Sequence, residues 1–181
     1  MASLAAGARV LDMFCHVGAF GLRCAAAGAL SVTLVDSSAP ALALAGKAAA
    51  RNGLAPRIET RRGDAFDVMT QLAHAGERFD LVVCDPPPFA KSRKDQPAAL
   101  RAYQRMARLA APLVASGGFL LAASCSHHAT PDLFAQAIAE GLHRARREGR
   151  IVASGGAGPD HPVHPHLPES AYLKAQLIQL F

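Results

Sequence analysis

Residues 8–36 read ARVLDMFCHVGAFGLRCAAAGALSVTLVD and decide the fold class. The apolar run at 8–13 predicts a strand, and the alanine-rich stretch at 20–27 predicts a helix that ends at Gly28. Ser31–Asp36 is rich in β-branched residues and predicts a second strand. A strand, a helix and a second strand in succession are typical of a parallel sheet with right-handed crossover connections.

The same alternation continues to the end of the chain. Gly117-Gly118 is predicted to be the turn that leads into the fifth strand. Further strands are predicted at residues 57–62, 79–84, 119–124, 150–154 and 172–181, and further helices at about 38–51, 65–75, 97–115 and 130–146. We therefore predict an α/β, Rossmann-like, doubly wound and mostly parallel sheet, formed by a single domain over residues 1–181.

The composition excludes several classes of protein. Of the 181 residues, 51% are hydrophobic and 18% are charged, a balance that excludes a disordered chain. No apolar stretch approaches the roughly 20 residues of a membrane helix, so no membrane partner is expected. The net charge of +5 permits a polyanionic partner. The four cysteines lack CxxC spacing, which favours a reduced, cytoplasmic protein without a structural metal.

Four acids follow or end the first four predicted strands: Asp12, Asp36, Asp64 and Asp85. Ligands of doubly wound sheets bind at the carboxyl ends of the strands. Asp36 comes 24 residues after Asp12, which suits hydrogen bonds to a ribose diol, and Asp64 is placed to accept from an adenine amino group. Each acid alone is equally consistent with a cap or a turn. Together they favour a nucleoside cofactor. Because the first loop lacks G-x-G-x-x-G, S-adenosylmethionine is a better candidate than a dinucleotide.

Two further segments carry chemistry at the same predicted edge. The loop at residues 85–89, Asp-Pro-Pro-Pro-Phe, is stiff because proline fixes its own φ angle, so it can hold a planar base. Cys125 follows the fifth strand between two serines and is a candidate nucleophile, although a lone cysteine is also consistent with an inert buried residue. A zinc site at Cys125, His127 and His128 is a weak alternative.

Two other groups of side chains have alternative interpretations. His161, His164 and His166 form either a metal cluster or, as we favour, part of a proline-stiffened loop over the site. Cys15, Cys24 and Cys84 are expected to be packing residues.

Basic residues follow the proline-rich loop and share one helix face farther on. This pattern predicts contacts to RNA phosphates, although a solvated helix face has the same pattern. The residues concerned are Lys91, Arg93 and Lys94 after the loop, and Arg101, Arg105 and Arg108 at helical spacing. A second basic cluster, interpreted as a solvated helix end, comprises Arg144, Arg146, Arg147 and Arg150.

The motifs together resemble a known family. The chain is similar to the catalytic domain of class I S-adenosylmethionine-dependent RNA methyltransferases, and within them to the ribosomal RNA large-subunit methyltransferase I group, which makes 5-methylcytidine in 23S rRNA. The resemblance rests on VLDMFCHVGAFG, LVDSS, ARNG, GDAF, DPPPF, SCS and DHPV…LPESAYLK, in that order. The chain departs from the family at Pro88, where lysine is usual, and at His16-Val17, where an aromatic residue and threonine are usual.

The resemblance implies a fold, a cofactor and a set of site residues. It implies seven strands with an antiparallel last strand, S-adenosylmethionine as cofactor and 23S rRNA as partner. Full-length members carry an N-terminal PUA domain and a linking domain, neither of which appears in these 181 residues. Cys125 matches the nucleophile, and Asp85 is implied to lie between cofactor and base. The implied cofactor-binding residues are Asp12, Phe14, Cys15, Gly18, Phe20, Asp36, Ser37, Asp64, Ala65, Phe66, Asp85 and Pro86. The residues expected to face RNA are Pro87, Pro88, Phe89, Lys91, Arg93, Lys94, Arg101 and Arg105.

Three other functions compete with this one. An amino-group methyltransferase of guanine or adenine uses an Asp/Asn-Pro-Pro-aromatic motif and needs no nucleophilic cysteine; here Phe89 comes one residue late. An inactive remnant would bind S-adenosylmethionine without transferring its methyl group. A dehydrogenase is disfavoured because G-x-G-x-x-G is missing.

Overall fold

Seven strands form one mixed sheet in the order β3-β2-β1-β4-β5-β7-β6. The computed structural model describes residues 2–90, 92–159 and 161–181. The strands are β1 (Arg9–Met13), β2 (Ser31–Asp36), β3 (Ile58–Arg62), β4 (Phe79–Cys84), β5 (Val114–Ser124), β6 (Gly149–Gly155) and β7 (Lys174–Leu180). The α-helices are α1 (Ala19–Ala26), α2 (Ala39–Arg51), α3 (Ala65–His74), α4 (Gln96–Ala110) and α5 (Pro131–Arg144).

The pairing confirms the predicted topology. Strands β1 to β5 pair in parallel, and β1 lies between β2 and β4, so the strand order reverses beside it. Strand β7 inserts between β5 and β6 and is antiparallel to both. The sheet is therefore a seven-stranded, Rossmann-like sheet with an antiparallel last strand.

Helices cover the two faces of the sheet unequally. Helices α3, α4 and α5 pack on one face, where Leu11 and Met13 of β1 point. Helices α1 and α2 pack on the other face, where Val10 points. A parallel strand buried on both faces needs consecutive apolar residues, which is why β1 reads as a continuous run rather than as an alternation. Each fully buried leucine of this kind stabilises the fold by about 2 kcal/mol.

Three helix starts follow from local capping. The Ser38 side chain accepts from the N–H of Ala41 at the start of α2. Asp64 caps α3, and the Thr130 hydroxyl accepts from the N–H of Leu133 at the start of α5. These caps satisfy N–H groups that have no partner within the helix, so the predicted starts of α2 and α5 are confirmed. None of the helices in the described ranges has both the length and the apolarity to cross a membrane.

The connection from α4 to β5 differs from the prediction. Helix α4 ends at Ala110 and not at residue 115, because Pro112 lacks an N–H and disrupts a continuing α-helix. Strand β5 then begins at Val114, five residues earlier than predicted.

The predicted turn at Gly117-Gly118 was wrong. Both glycines lie inside β5, at an irregularity in its pairing with β4. Gly117 has a φ of +78°, which favours glycine, and a Cβ on Gly118 would lie 2.9 Å from the carbonyl oxygen of Asp80. Glycine in an apolar stretch marked a bulge here and not a chain reversal.

Candidate active site

A cavity of about 720 Å³ opens at the carboxyl ends of β1 and β4, where the strand order reverses. We call it the switch-point cavity. Doubly wound sheets bind ligands at this point, as the sequence predicted. The predicted site residues that line it are Phe14, Cys15, Phe20, Asp36, Ser37, Asp64, Ala65, Phe66, Asp85, Pro86, Pro87, Phe89 and Cys125. Its remaining lining residues are His16, Val17, Ala19 and Leu173. The first three belong to the quoted β1–α1 loop, whereas Leu173 comes from the distant segment before β7 and had no sequence signal.

The loop after β1 holds a constrained backbone. Phe14 and His16 have φ values of +60° and +50°, a left-handed conformation that is uncommon for residues other than glycine. The Cys15 N–H donates to the carbonyl oxygen of Val35 at 3.0 Å, and the His16 N–H donates to Asp36 at 2.8 Å. Strained backbone of this kind concentrates at ligand sites, because the surrounding contacts must hold it in place.

Asp36 accepts hydrogen bonds from the backbone and also lines the switch-point cavity. One carboxylate oxygen accepts from the N–H of His16, and the other accepts from the N–H of Ser38, each at 2.8 Å. A carboxylate oxygen has two acceptor sites, so these bonds orient the group and leave one site on each oxygen. The turn interpretation is therefore correct, and the ribose contact stays a prediction.

Asp64 divides its oxygens in the same way. Its Oδ1 accepts from the N–H groups of Phe66 and Asp67, at 2.9 and 3.1 Å, and so caps α3. No described residue donates to its Oδ2 within hydrogen-bond distance. One carboxylate thus caps the helix with one oxygen while the other remains available at the cavity. The adenine contact stays a prediction.

Asp12 and Gly18 do not line the cavity, although both were predicted to bind the cofactor. Asp12 is 1% exposed, and its Oδ2 accepts from the N–H of Gly21 at 2.8 Å. Burial, together with the charges of Asp85 and Asp36, raises the pKa of Asp12 to about 7. Its structural role is to anchor the first turn of α1 to β1.

Gly18, which the resemblance implied to bind the cofactor, and Gly21 have packing roles in the structure. A Cβ on Gly21 would overlap the Leu34 side chain, and one on Gly18 would lie 3.0 Å from it. Gly18 also has a φ of +79°. The glycines thus let α1 approach β2 and let the loop turn, which fixes where the cavity lies.

Three phenylalanines form an aromatic wall of the switch-point cavity. The ring centroids of Phe14, Phe66 and Phe89 lie 6.1 to 6.4 Å apart. The guanidinium carbon of Arg105, a residue of α4, lies 4.6 Å from the centroid of the Phe66 ring. Phe89 also packs on Tyr103, with centroids 4.8 Å apart. These rings suit the flat, apolar face of a nucleobase.

Cys125 is held by a buried hydroxyl network beneath it. The Tyr103 hydroxyl lies 2.7 Å from the Ser124 hydroxyl and 2.9 Å from the Ser126 hydroxyl. The Ser126 hydroxyl also accepts from the N–H of Ala90 at 3.3 Å. The network therefore fixes the loop after β4 against the loop after β5. The sequence marked the two serines only as neighbours of the cysteine, and Tyr103 carried no signal.

The thiol of Cys125 faces the proline-rich loop, with its Sγ 3.9 Å from the carbonyl oxygen of Pro86. Burial and the charge of Asp85 raise the pKa of Cys125, while Lys174 lowers it. Burial also raises the pKa of Asp85. Cys125 and Asp85 thus share one partly buried environment, in which the ionisation of either disfavours that of the other.

Residues 1–137 match the family described as Conserved hypothetical protein 95. The chain belongs to this family. It is also similar to the protein of Shewanella denitrificans named Ribosomal RNA large subunit methyltransferase I, with 37% identity over 97% of this chain. The chain spans 44% of the length of that relative. The resemblance stated from the sequence motifs is thereby confirmed.

Two solved structures confirm the fold. SMU.776, complexed with SAH, superposes with a TM-score of 0.85 at 24% identity, over 97% of this chain and 46% of that chain. The SAM Dependent Methyltransferase from Agrobacterium tumefaciens gives a TM-score of 0.68 at 21% identity, over 99% of this chain and 57% of that chain. Both likenesses concern the Rossmann-like sheet and its helices.

The predicted RNA-facing residues fall in three places. Pro87 and Phe89 line the switch-point cavity, whereas Pro88 lines a second cavity of about 670 Å³, which Cys125 also lines. Arg93 and Lys94 are exposed in a 3-10 turn before α4. Lys91 lies outside the described residues.

The predicted arginine face of α4 is confirmed and extended. Arg101, Arg105 and Arg108 line one groove of about 480 Å³, together with Arg144 of α5. We call this the arginine groove. Arg144 had been interpreted as part of a solvated helix end, but the packing of α5 on α4 brings it to the same surface. A groove lined by four arginine residues is suited to phosphate.

The histidines of the loop at 161–166 are exposed, whereas the other cysteines are buried. The rings of His161 and Tyr172 meet edge to face, and Cys15, Cys24 and Cys84 are buried and unpaired. No three His, Cys, Asp or Glu side chains within the described ranges are placed to hold one metal ion. The segment after the histidine loop contributes Leu173 to the switch-point cavity and Tyr172 to the second cavity.

Proposed function

We propose that this chain is the methyltransferase domain of an enzyme that methylates C5 of a cytidine in ribosomal RNA, with S-adenosylmethionine as methyl donor and Cys125 as nucleophile. The position of the Cys125 thiol carries the proposal. It lies at the carboxyl edge of the sheet, 3.9 Å from the Pro86 carbonyl oxygen, and borders both the switch-point cavity and the second cavity. The name of the Shewanella relative supports ribosomal RNA as the substrate.

The residues of the switch-point cavity fit S-adenosylmethionine. Asp36 and Asp64 each keep acceptor capacity for a donor group, as a ribose diol and an adenine amino group require. The aromatic wall of Phe14, Phe66 and Phe89 suits the flat purine. When bound, S-adenosylmethionine supplies an electrophilic methyl group on its sulfonium sulfur.

The chain itself supplies the activation of the acceptor. The deprotonated thiol of Cys125 adds to C6 of cytosine, forming an S–C6 bond and making C5 a carbon nucleophile. Asp85 contacts the N3/N4 edge of the base and stabilises the adduct. After C5 is methylated, a base removes the C5 proton. The electron pair reforms the C5–C6 double bond and expels Cys125 as thiolate.

The position of Phe89 supports this reaction over amino-group methylation. Enzymes of that class use an Asp/Asn-Pro-Pro-aromatic motif and need no nucleophilic cysteine. Here a third proline, Pro88, precedes the aromatic residue, and Cys125 lines the same cavity as Phe89.

The proposal also includes RNA binding by basic residues and a cytoplasmic location of the protein. The arginine groove and the basic turn of Arg93 and Lys94 provide cations for phosphate contacts. A target base must leave its stack to reach Cys125. Four unpaired cysteines support a reducing, cytoplasmic environment.

The test is methyl transfer from labelled S-adenosylmethionine to unmodified ribosomal RNA, followed by nucleoside analysis. We expect labelled 5-methylcytidine from the wild type and from the control Cys24→Ala, and none from Cys125→Ala, which should still bind the cofactor. A methylated purine made equally by all three proteins would replace the proposal with amino-group methylation. Cofactor binding without any transfer would show that these 181 residues are insufficient.

A further inference from the structure

The second cavity is lined in part by Cys125. It has a volume of about 670 Å³ and is lined by Pro88, Ala90, Cys125, His127, His128, Glu169 and Tyr172. Of the residues that the structure describes, Cys125 alone lines both this cavity and the switch-point cavity. The thiol therefore stands at the boundary between the two spaces.

This arrangement assigns the two cavities different ligands. Under the proposed function, the switch-point cavity holds the methyl donor. An acceptor must then reach the Cys125 sulfur and the donated methyl group at once. The second cavity offers that approach, because Cys125 lines it and, within the described ranges, none of the other residues that line the switch-point cavity does.

An aromatic pair borders the second cavity. The rings of His127 and Tyr172 are stacked, with centroids 4.5 Å apart and planes inclined by 28°. The ring of His161 meets Tyr172 edge-on at 5.4 Å. Rings already fixed by such contacts lose little freedom when a base stacks on them, and every base offers a flat face for stacking.

The aromatic pair and the nucleophile are tied together. The Lys174 ammonium donates to the carbonyl oxygens of both Ser126 and Tyr172, each at 2.8 Å. Ser126 directly follows Cys125, so one side chain joins the nucleophile loop to the segment that carries Tyr172. The cavity is therefore shaped before any ligand enters.

Glu169 brings a carboxylate to this cavity. It is exposed, and none of the residues in the described ranges hydrogen-bonds to its side chain. An ionised carboxylate accepts hydrogen bonds and cannot donate one. Cytosine carries an amino donor at position 4, where uracil carries a carbonyl acceptor, so a carboxylate at that edge favours cytosine.

We infer that the second cavity binds the extruded cytosine base of the substrate, which stacks on the His127–Tyr172 pair and donates one hydrogen of its 4-amino group to Glu169, while Asp85, which lines the switch-point cavity, faces N3 across Cys125. This inference rests on the proposed function and specifies its substrate subsite. In this arrangement the segment before β7 recognises the base, and Cys125 reacts with it.

The test uses the two tyrosines of the chain, Tyr103 and Tyr172. With both replaced by 3-fluorotyrosine, the full chain gives two 19F resonances, which Tyr172→Phe assigns. In the presence of S-adenosylmethionine, cytidine 5′-monophosphate should shift the Tyr172 resonance and leave that of the buried Tyr103 in place. Uridine 5′-monophosphate should shift it with about ten-fold weaker apparent affinity, the cost of one charge-assisted hydrogen bond.

Two substitutions test the roles of Glu169 and Tyr172 separately. Glu169→Gln should abolish the preference for cytidine over uridine monophosphate, because an amide can donate to a carbonyl, whereas the control Glu59→Gln on the far edge strand should keep it. Tyr172→Ala should raise the KM for RNA about ten-fold without changing the affinity for S-adenosylmethionine, and Tyr172→Phe should restore it.

The outcomes distinguish this inference from the proposed function. If the Tyr172 resonance does not respond to either nucleotide and both cavity variants methylate RNA normally, the subsite is wrong while the methyltransferase activity stands. If cytidine monophosphate binds as expected but the wild type and Cys125→Ala alike methylate a purine of the RNA and not a cytidine, the proposed function fails and the base site stands.

Discussion

The Lys174 ammonium donates a hydrogen bond to the backbone carbonyl oxygen of Ser126, with the two atoms 2.8 Å apart. Lys174 pairs with Ser124 across the β5–β7 ladder. Its side chain therefore begins beside the residue before Cys125 and ends on the residue after it. Burial lowers the pKa of Lys174, and the neighbouring cysteine opposes that shift. A cation held there favours the thiolate of Cys125.

Lys174→Met should make the thiol of Cys125 harder to ionise. Removing the cation disfavours the thiolate, so the thiol pKa rises and the pH profile of alkylation moves to higher pH. The measurement is the rate of iodoacetamide modification of Cys125 by mass spectrometry as a function of pH; Cys15, Cys24 and Cys84 are buried. The control Lys47→Met should keep the wild-type profile. A profile that stays in place in Lys174→Met would contradict the electrostatic role.

Tyr103→Phe should weaken the hydroxyl network beneath Cys125. It removes the partner of the Ser124 and Ser126 hydroxyls at a fully buried position, which should cost about 1–3 kcal/mol of unfolding free energy. The loosened nucleophile should also lower kcat while S-adenosylmethionine binding stays constant. Urea denaturation and turnover measurements check the two effects. Tyr172→Phe is the matched stability control, and equal losses in both variants would refute the network's role.

Asp12→Asn should stabilise the protein at neutral and alkaline pH. In the folded protein, the pKa of Asp12 is raised from 3.8 to about 7, so the folded state binds this proton more tightly than the unfolded chain does. The contribution of Asp12 to stability is therefore greatest below about pH 4 and falls as the pH rises towards 7, by about 1.4 kcal/mol for each unit of pKa difference.

Asparagine keeps an acceptor for the Gly21 N–H and removes the buried charge. The variant should unfold at higher temperature than the wild type at pH 8, and the decline in stability between pH 4 and 7 should flatten. Thermal unfolding across this pH range makes the comparison, with the exposed Asp132→Asn as control. A variant less stable than the wild type at pH 8 would show that the ionised carboxylate is favourable.

Single alanine variants of the arginine groove should weaken RNA binding and reduce its dependence on salt. Each phosphate contact to single-stranded RNA contributes about 0.7 to the slope of log K against log salt. Arg101→Ala, Arg108→Ala and Arg144→Ala should each reduce the slope by about that amount. Arg51→Ala, at the end of α2 on the other face of the sheet, should not. Unchanged slopes in the three groove variants would show that the groove is a solvated surface that does not contact RNA phosphates.

Local sequence patterns were sufficient to predict that the acidic residues lie at one edge of the sheet. Apolar runs long enough for buried strands alternate with capped helices, and parallel strands present their carboxyl ends at one edge. Asp36, Asp64 and Asp85 end or follow such runs, so their convergence follows from the fold class alone. The cap of α3 at Asp64 is likewise local.

The β5 bulge shows where local patterns mislead. A pair of glycines is compatible both with a turn that ends a strand and with a bulge inside one. The choice is made by the pairing with β4, where the backbone of Asp80 approaches Gly118 too closely for any side chain. That contact joins residues far apart in sequence, so no window around Gly117-Gly118 contains it.

The amino-acid order alone was enough for the α/β class, the strand and helix succession and the nucleophile candidate Cys125, because burial periodicity, capping and strand ends depend on near neighbours in the chain. The surroundings of Cys125 depended on the assembled sheet. Tyr103 reaches its serines from α4, and Tyr172, Leu173 and Lys174 arrive because β7 inserts antiparallel between β5 and β6. Such contacts gain their free energy from packing and pairing across distant segments, which only the folded chain brings together.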